Sequence, residues 1–174
     1  IMIKKERYIS STDYELLKKL YPNNMEEIIQ KINNDYPIQY LIGNVNFYGY
    51  SIKVDERALI PRFETEGLVD ELLKLIKSQT NYPTLKILEI GTGSGCIAIT
   101  LSKELNTTVD ALDISKDAIE LASSNAVLNH ANVNFALGDI KNCSIKKKYN
   151  ILVSNPPYVK YDEPVDPATK YEPQ

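Results

Sequence analysis

The sequence has only two cysteines and one histidine among its 174 residues. Neither Cys96 nor Cys143 has a second cysteine or a histidine at the spacing of a metal site. A zinc centre and a disulfide framework both need such a set of residues. We therefore expect no metal in this protein, and a reduced setting in the cytoplasm.

The sequence also lacks a long apolar run and an excess of basic residues. Its most apolar stretch, 85–101, contains Lys86 and Glu89 and is rich in glycine in the middle, so we expect no membrane span. The formal net charge is −3, whereas most nucleic-acid binders carry a basic excess that attracts phosphate. A protein or small-molecule substrate is therefore favoured over a nucleic acid.

The composition predicts one main folded core with a small appendage. Hydrophobic residues make up 43% of the chain and charged residues 25%, as in globular proteins. Apolar residues recur at helical spacing over 12–33 with a break at 21–24, which indicates two short helices. The aromatic and β-branched stretch 45–54 indicates a hairpin. We divide the chain into an N-terminal helical segment 1–44, a linking hairpin 45–63 and a main domain 64–174.

In the main domain, predicted strands and helices alternate. Helices are predicted over 64–77, 94–104 and 116–129, and strands over 85–90, 108–112, 133–137 and 150–154. This alternation is typical of βαβ units, so we expect the α/β class, with a Rossmann-like sheet of about four parallel strands and helices on both faces. Ligands of such sheets bind at the carboxyl ends of the strands.

Glycines and an acidic residue stand at those predicted strand ends. The first strand runs into Glu89–Gly95, whose glycines allow a tight turn and close approach of a ligand to the helix N-terminus. The dinucleotide fingerprint needs a further glycine where Cys96 stands, so an NAD or FAD site is disfavoured. Asp113 follows the second strand, where a carboxylate can accept hydrogen bonds from both hydroxyls of an adenosine ribose. Gly138–Ile140 follows the third strand.

The segment Asn155-Pro156-Pro157-Tyr158 directly follows the fourth predicted strand. Two prolines make a rigid turn that can aim Asn155 and Tyr158 at the strand-end cleft. The Asn155 side-chain oxygen and the Pro156 carbonyl can accept both N–H bonds of an amide or amino nitrogen, and Tyr158 can stack on its planar group. The motif therefore predicts chemistry on a planar nitrogen, with positioning as the main source of catalysis.

These motifs, taken together in their order, resemble class I methyltransferases that act on amide or amino nitrogens. Two further segments, Pro37–Gly43 and Leu59–Glu66, closely resemble the HemK/PrmC family, which uses S-adenosyl-L-methionine to methylate N5 of the glutamine in the Gly-Gly-Gln loop of peptide-chain release factors. The resemblance implies a cofactor site formed by Gly91, Thr92, Gly93, Ser94, Gly95, Asp113, Ile140 and Asn155. It implies that Asn155, Pro156, Pro157 and Tyr158 hold the substrate glutamine, with catalysis by Asn155, Pro156 and Tyr158.

The chain departs from the family pattern at three points. Phe63 stands where proline is usual, and the helical part before Pro37 is shorter than the usual N-terminal domain of the family. The sequence also ends at Gln174, soon after Asn155-Pro156-Pro157-Tyr158, which predicts a shortened main domain with an incomplete sheet. Two alternatives to the release-factor function therefore stay open: an adenine-N6 or guanine-N2 methyltransferase acting on nucleic acid, and an inactive cofactor-binding module. For Arg62 we expect either a cation that lines the site or an ion pair with Glu64 or Glu66.

Overall fold

The N-terminal part of the chain is helical, as the apolar spacing predicts. The computed structural model describes residues 2–3, 7–80, 84–143, 145–156 and 166–173. A two-residue ladder joins strands β1 (Met2–Ile3) and β2 (Arg7–Tyr8). Three helices follow: α1 (Ser11–Leu20), α2 (Met25–Asn33) and α3 (Ile38–Ile42). The predicted break at 21–24 separates α1 from α2, whereas α3 has only five residues and was not predicted.

The helical segment has a small hydrophobic core of its own. Ser10 caps α1 by accepting a 3.0 Å hydrogen bond from the backbone N–H of Asp13. The buried side chains that line this core are Ile9, Leu17, Ile28, Ile32 and Leu41. Helix α3 ends at Gly43, whose φ of +80° is the left-handed conformation that glycine adopts without strain.

The predicted hairpin is present, with strands β3 (Asn44–Phe47) and β4 (Tyr50–Lys53) paired antiparallel. The chain reverses at Tyr48 and Gly49, both of which have positive φ, as a tight two-residue hairpin turn requires. Phe47 and Ile52 are buried in the main hydrophobic core of the protein. The hairpin therefore packs against the main domain. The division of the chain at residues 44 and 63 stays a prediction.

The main domain contains a four-stranded parallel sheet, which confirms the predicted α/β class. Helix α4 (Phe63–Lys77) precedes the sheet. The elements of the sheet region then follow in the order β5 (Ile87–Ile90), α5 (Cys96–Leu105), β6 (Val109–Asp113), α6 (Lys116–Leu128), β7 (Val133–Leu137) and β8 (Ile151–Ser154). A 3-10 helix, Pro167–Tyr171, ends the described chain. Predicted and observed boundaries of the main-domain elements differ by at most two residues.

The strand order of the sheet is β7-β6-β5-β8, with every neighbouring pair parallel. The chain moves outward from β5 to β7 and then crosses back to β8 on the other side of β5. The order therefore reverses between β5 and β8, and crevices at such reversals are the usual ligand sites of open α/β sheets.

Helices α4 and α5 share the main core with the sheet. Val69 and Leu73 of α4 are buried in one cluster with Ile99 of α5, Ile87 of β5 and Val153 of β8. This packing holds the N-terminal end of α4 near the reversal point. Within the described ranges, no helix combines the length and hydrophobicity needed to cross a membrane.

Candidate active site at the carboxyl ends of the strands

The glycine-rich loop lies at the carboxyl end of β5, between the ends of β6 and β8. The backbone N–H groups of Gly91 and Thr92 donate to the carbonyl oxygen of Leu112 at 2.8 and 3.1 Å. Leu112 belongs to β6, so these bonds fasten the loop to the neighbouring strand. The predicted loop and the predicted strand ends are therefore brought together at one edge of the sheet.

Gly95 closes the loop at a point where α6 comes very near. A Cβ atom at this position would lie 3.0 Å from the Cβ of Ala122 and 3.2 Å from Cδ1 of Ile99. The backbone also has a φ of +82°. Only glycine suits both constraints, and its presence lets α5 begin directly beneath the loop.

Asp113 lies at the carboxyl end of β6 with its carboxylate facing the loop. Its Oδ2 accepts a hydrogen bond from the Gly93 N–H at 2.8 Å, and its Oδ1 accepts one from the Ser115 N–H at 2.9 Å. The residue is buried, with 9% of its surface exposed. A carboxylate offers about four lone-pair positions, so both oxygens can still accept hydroxyl groups.

Glu89 is fully enclosed beneath the loop. Its Oε2 accepts hydrogen bonds from the Thr92 hydroxyl at 2.6 Å and from the Ala98 N–H at 3.0 Å. Burial, which these bonds only partly offset, raises the pKa of Glu89 to about 8. The carboxyl is therefore largely neutral at pH 7 and serves as a hydrogen-bonding centre around which the loop folds.

Two exposed isoleucines follow the ends of β6 and β7. Ile140, a predicted site residue, is 43% exposed, and Ile114, which the sequence analysis did not single out, is 70% exposed. The Gly138 N–H donates to the carbonyl of Asp113 at 2.8 Å, which ties the two strand ends together. The sequence signal for Ile114 was an apolar residue directly after a strand-end acid, but only the structure shows that it is exposed.

Asn155 follows β8, directly across from the glycine loop. Ser154 pairs with Ile90 in the ladder, and its hydroxyl donates to the Ile90 carbonyl at 2.9 Å. The Asn155 side-chain Nδ2 donates to Oγ1 of Thr65 on α4 at 3.4 Å. Asn155 is half-buried and Pro156 is exposed.

Pro157 and Tyr158, the remaining predicted site residues, lie outside the described residues. The structure thus brings together the glycine loop, Asp113, Ile140, Asn155 and Pro156. The assignment of these residues to cofactor binding, substrate binding and catalysis stays a prediction.

Arg62 forms an ion pair with Glu172. The expected ion pair with Glu64 or Glu66, one of the two alternatives, was wrong. Nη2 of Arg62 donates to both carboxylate oxygens of Glu172, at 2.7 and 2.8 Å. Glu64 is exposed at the start of α4, and Glu66 instead accepts a 2.9 Å hydrogen bond from the backbone N–H of Tyr48. The ion pair connects the start of α4 to the 3-10 helix near the end of the described chain.

The described residues at this edge offer several hydrogen-bonding groups. No group of three or more histidine, cysteine, aspartate or glutamate side chains suited to a metal ion occurs in the part of the chain that the structure describes. The strand ends instead offer backbone N–H groups, a carboxylate, two apolar side chains and an amide. Such a set suits a ligand with an adenosine group beside a planar nitrogen substrate.

The chain also resembles known proteins. The methyltransferase small domain family matches residues 67–169. The release factor glutamine methyltransferase of Lactococcus lactis is 43% identical over 153 residues, which cover 86% of this chain and 55% of that protein. The corresponding protein of Bacillus subtilis is 46% identical over 134 residues, or 75% of this chain and 46% of that protein. The chain thus spans about half the length of these curated relatives.

A solved structure supports the fold. The tRNA (uracil-54, C5)-methyltransferase of Pyrococcus abyssi, in complex with S-adenosyl-L-homocysteine, has a TM-score of 0.54 and 21% identity to this chain, with coverage of 66% of this chain and 28% of that one. The predicted methyltransferase fold and the resemblance to release factor glutamine methyltransferases are both confirmed. With more than half of its residues matched by one family, the chain belongs to the methyltransferase small domain family.

Proposed function

We propose that this protein transfers a methyl group from S-adenosyl-L-methionine to N5 of the glutamine in the Gly-Gly-Gln loop of a peptide-chain release factor. The observation that carries the proposal is the position of Asn155. Because β8 lies beside β5, the residue after β8 faces the glycine loop after β5. A nitrogen bound at Asn155 would therefore lie next to a cofactor bound at the loop.

The residues at the strand ends fit this cofactor. Gly91 is exposed, and a Cβ atom there would meet no other atom within 4 Å, so a ligand can approach the backbone. Asp113 would accept hydrogen bonds from the ribose hydroxyls, and the exposed side chains of Ile114 and Ile140 would offer apolar contact to an adenine ring. When bound, the cofactor supplies an electrophilic methyl group attached to a positively charged sulfur.

The chain's own contribution to the reaction is to orient the target nitrogen. An amide nitrogen is a weak nucleophile because its lone pair is delocalised into the carbonyl group. If the Asn155 side-chain oxygen and the Pro156 carbonyl accept hydrogen bonds from the two N–H groups of this nitrogen, its lone pair turns toward the methyl group. The nitrogen would then bond to the methyl carbon as the carbon–sulfur bond breaks, with the electron pair kept by sulfur and one N–H proton released to water. Each acceptor also stabilises the positive charge that builds on nitrogen.

The substrate class rests on the relatives and on the motifs. The two curated relatives described above are named as release factor glutamine methyltransferases, and they match the chain at 43% and 46% identity. A release factor is therefore the proposed protein partner, and the reaction would take place in the cytoplasm. Residues 64–174 would form the cofactor-binding part, with the helical segment and the hairpin as its support.

A transfer assay tests the proposal directly. The protein is incubated with S-adenosyl-L-methionine carrying a labelled methyl group and with a release factor, beside a copy whose Gly-Gly-Gln glutamine is alanine. We expect label on the first release factor only. Label on RNA or DNA in a parallel reaction would instead favour a nucleic-acid methyltransferase.

An Asn155→Ala variant supplies the mechanistic control. It should bind a release factor weakly and transfer the methyl group at least about 100-fold more slowly, since a lost acceptor in a preorganised site typically costs this much. Its melting temperature should match that of the unchanged protein, because Asn155 follows β8 and is only half-buried. Tight cofactor binding without any methyl transfer by the unchanged protein would indicate a binding module.

A further inference from the structure

The side chain of Asn155 can perform its proposed task in only one of its two amide orientations. The oxygen and the nitrogen of a primary amide have nearly the same shape but opposite hydrogen-bonding character. With the oxygen toward the substrate, the amide accepts a hydrogen bond from an N–H of the target nitrogen. With the nitrogen toward the substrate, two donors would face each other. The site therefore needs a contact that holds the side chain with its oxygen toward the substrate.

Thr65 contacts this amide from the first turn of α4. Its Oγ1 accepts the hydrogen bond from Nδ2 of Asn155 at 3.4 Å. This distance is long for a hydrogen bond. In the structure the amide nitrogen faces Thr65, whose hydroxyl accepts from it, and the amide oxygen is left for another partner. A substrate N–H needs an acceptor, so it favours the same orientation.

The Thr65 hydroxyl is itself held in place. Thr65 is buried, with 9% of its surface exposed, and Val69 one turn later is completely buried in the main core. A threonine on a helix has two common rotamers, and burial of the side chain restricts exchange between them. The Thr65 N–H donates to the Arg62 carbonyl at 3.1 Å, and Arg62 is paired with Glu172.

The backbone of Asn155 is fixed independently of its side chain. Ser154, the residue before it, pairs with Ile90 in the parallel ladder and bonds the Ile90 carbonyl through its hydroxyl. The sheet therefore sets where the Asn155 side chain begins, and α4 holds the nitrogen end of its amide. These two elements reach the same residue from different directions.

We infer that Thr65 is a positioning residue, which holds the Asn155 amide with its oxygen facing the substrate nitrogen. This role rests on the proposed function and adds a residue to it. It also gives a reason for selecting an amide over a carboxylate: a glutamate side chain would present oxygen to the fixed Asn155 oxygen, whereas a glutamine presents an N–H donor.

The test compares Thr65→Val, which keeps the shape but removes the hydroxyl, with Thr65→Ser, which keeps the hydroxyl. For each variant we would measure kcat and KM for methylation of a release factor, the cofactor Kd and the melting temperature. In Thr65→Val we expect kcat to fall about 10-fold to 100-fold, as for loss of an organised polar contact in an active site. The cofactor Kd should not change, and Thr65→Ser should restore most of kcat.

Thr100→Val is the matched control. Thr100 is also a buried helical threonine, and its hydroxyl donates to the Cys96 carbonyl at 2.7 Å, well within α5. This change should alter the melting temperature without a selective loss of kcat, so it measures the cost of removing a buried hydroxyl as such.

The outcomes separate the two proposals. If the unchanged protein methylates the release factor and Thr65→Val keeps its full kcat, the role of Thr65 is wrong and the proposed function stands. If Thr65→Val and Thr65→Ser lose kcat equally and in step with their melting temperatures, Thr65 is only structural. If the unchanged protein methylates no release factor, the proposed function fails and this inference fails with it.

Discussion

The backbone N–H of Gly93 donates a 2.8 Å hydrogen bond to the carboxylate of Asp113. The two residues come from different strand ends, since Gly93 lies in the loop after β5 and Asp113 closes β6. The residue proposed to bind the ribose therefore also holds the loop proposed to surround the rest of the cofactor. One carboxylate couples the two halves of the candidate cofactor site.

Replacing Asp113 with alanine should weaken cofactor binding by more than the loss of the ribose contacts alone. A hydrogen bond to a charged group contributes about 1.5–3 kcal/mol, and the variant loses the anchor of the loop as well. We expect Kd for S-adenosyl-L-methionine to rise at least about 100-fold, measured by isothermal titration calorimetry. Asp113→Asn keeps one acceptor oxygen, so its Kd should lie between those of Asp113→Ala and the unchanged protein.

Asp110 offers a control for this change on the same strand. Its carboxylate bonds Asn134, Lys147 and Tyr149 rather than the glycine loop. Asp110→Ala should therefore leave the cofactor Kd nearly unchanged. An equal loss of affinity in Asp110→Ala and Asp113→Ala would show that general destabilisation, and not the loop anchor, explains the effect.

The buried carboxyl of Glu89 should make stability depend on pH. In the folded protein burial raises its pKa to about 8, from an ordinary value of 4.5. Between these two values the folded state holds a proton that the unfolded state has lost. The free energy of unfolding should therefore fall as the pH rises from about 4.5 to about 8, by at most about 1.4 kcal/mol for each pH unit, and level off above that.

Glu89→Gln isolates this contribution. Glutamine keeps the shape and an acceptor oxygen for the Thr92 hydroxyl and the Ala98 N–H, but it does not titrate. The difference between the two proteins in the free energy of unfolding, measured by urea denaturation from pH 5 to pH 9, should change steadily up to about pH 8. A difference that is constant over this range would contradict a neutral buried Glu89.

Two glycines of the loop should respond differently to alanine. Gly91 and Gly95 both have positive φ, so each substitution carries a backbone cost of about 1–2 kcal/mol. At Gly91 the new methyl group meets open space, whereas at Gly95 it meets Ala122 Cβ at 3.0 Å and the Ala122 Cα at 3.3 Å. Gly95→Ala should therefore destabilise the fold by about a further 1–3 kcal/mol. Urea denaturation of both variants gives this difference, and equal losses would refute the close packing of α6 on the loop.

The sheet could be predicted from the sequence because its signals are local. Alternating apolar runs marked each strand and helix of the main domain, and the glycine loop and Asp113 followed directly from the strand ends. Helix α3 was missed because its five residues span little more than one helical turn, too short for a periodic pattern.

The contacts that hold the candidate site together could not be predicted in the same way. Thr65 and Asn155 are 90 positions apart in sequence, and Arg62 and Glu172 are 110 positions apart. Nothing local in either segment indicates its partner. The sequence therefore indicates only the nearby Glu64 and Glu66 as ion-pair partners of Arg62, although Glu64 is exposed to solvent on α4.

Phe63 stands at a position where proline should stabilise the fold. It is the first residue of α4, and its side chain is 82% exposed. The first N–H groups of a helix have no partner within the helix, so proline loses nothing there, and its fixed φ suits the first turn. Arg62 before it has φ of −99° and ψ of 146°, the extended conformation that a residue preceding proline prefers.

Phe63→Pro should therefore raise the free energy of unfolding by about 0.4–1 kcal/mol, chiefly because the unfolded chain loses conformational freedom. Phe63→Ala is the matched variant, since it removes the exposed ring without fixing φ, and it should leave stability nearly unchanged. Urea denaturation of the three proteins distinguishes the two effects. If proline destabilises the protein while alanine does not, then α4 begins later than Phe63, and the turn that carries Thr65 has a different conformation from the one described.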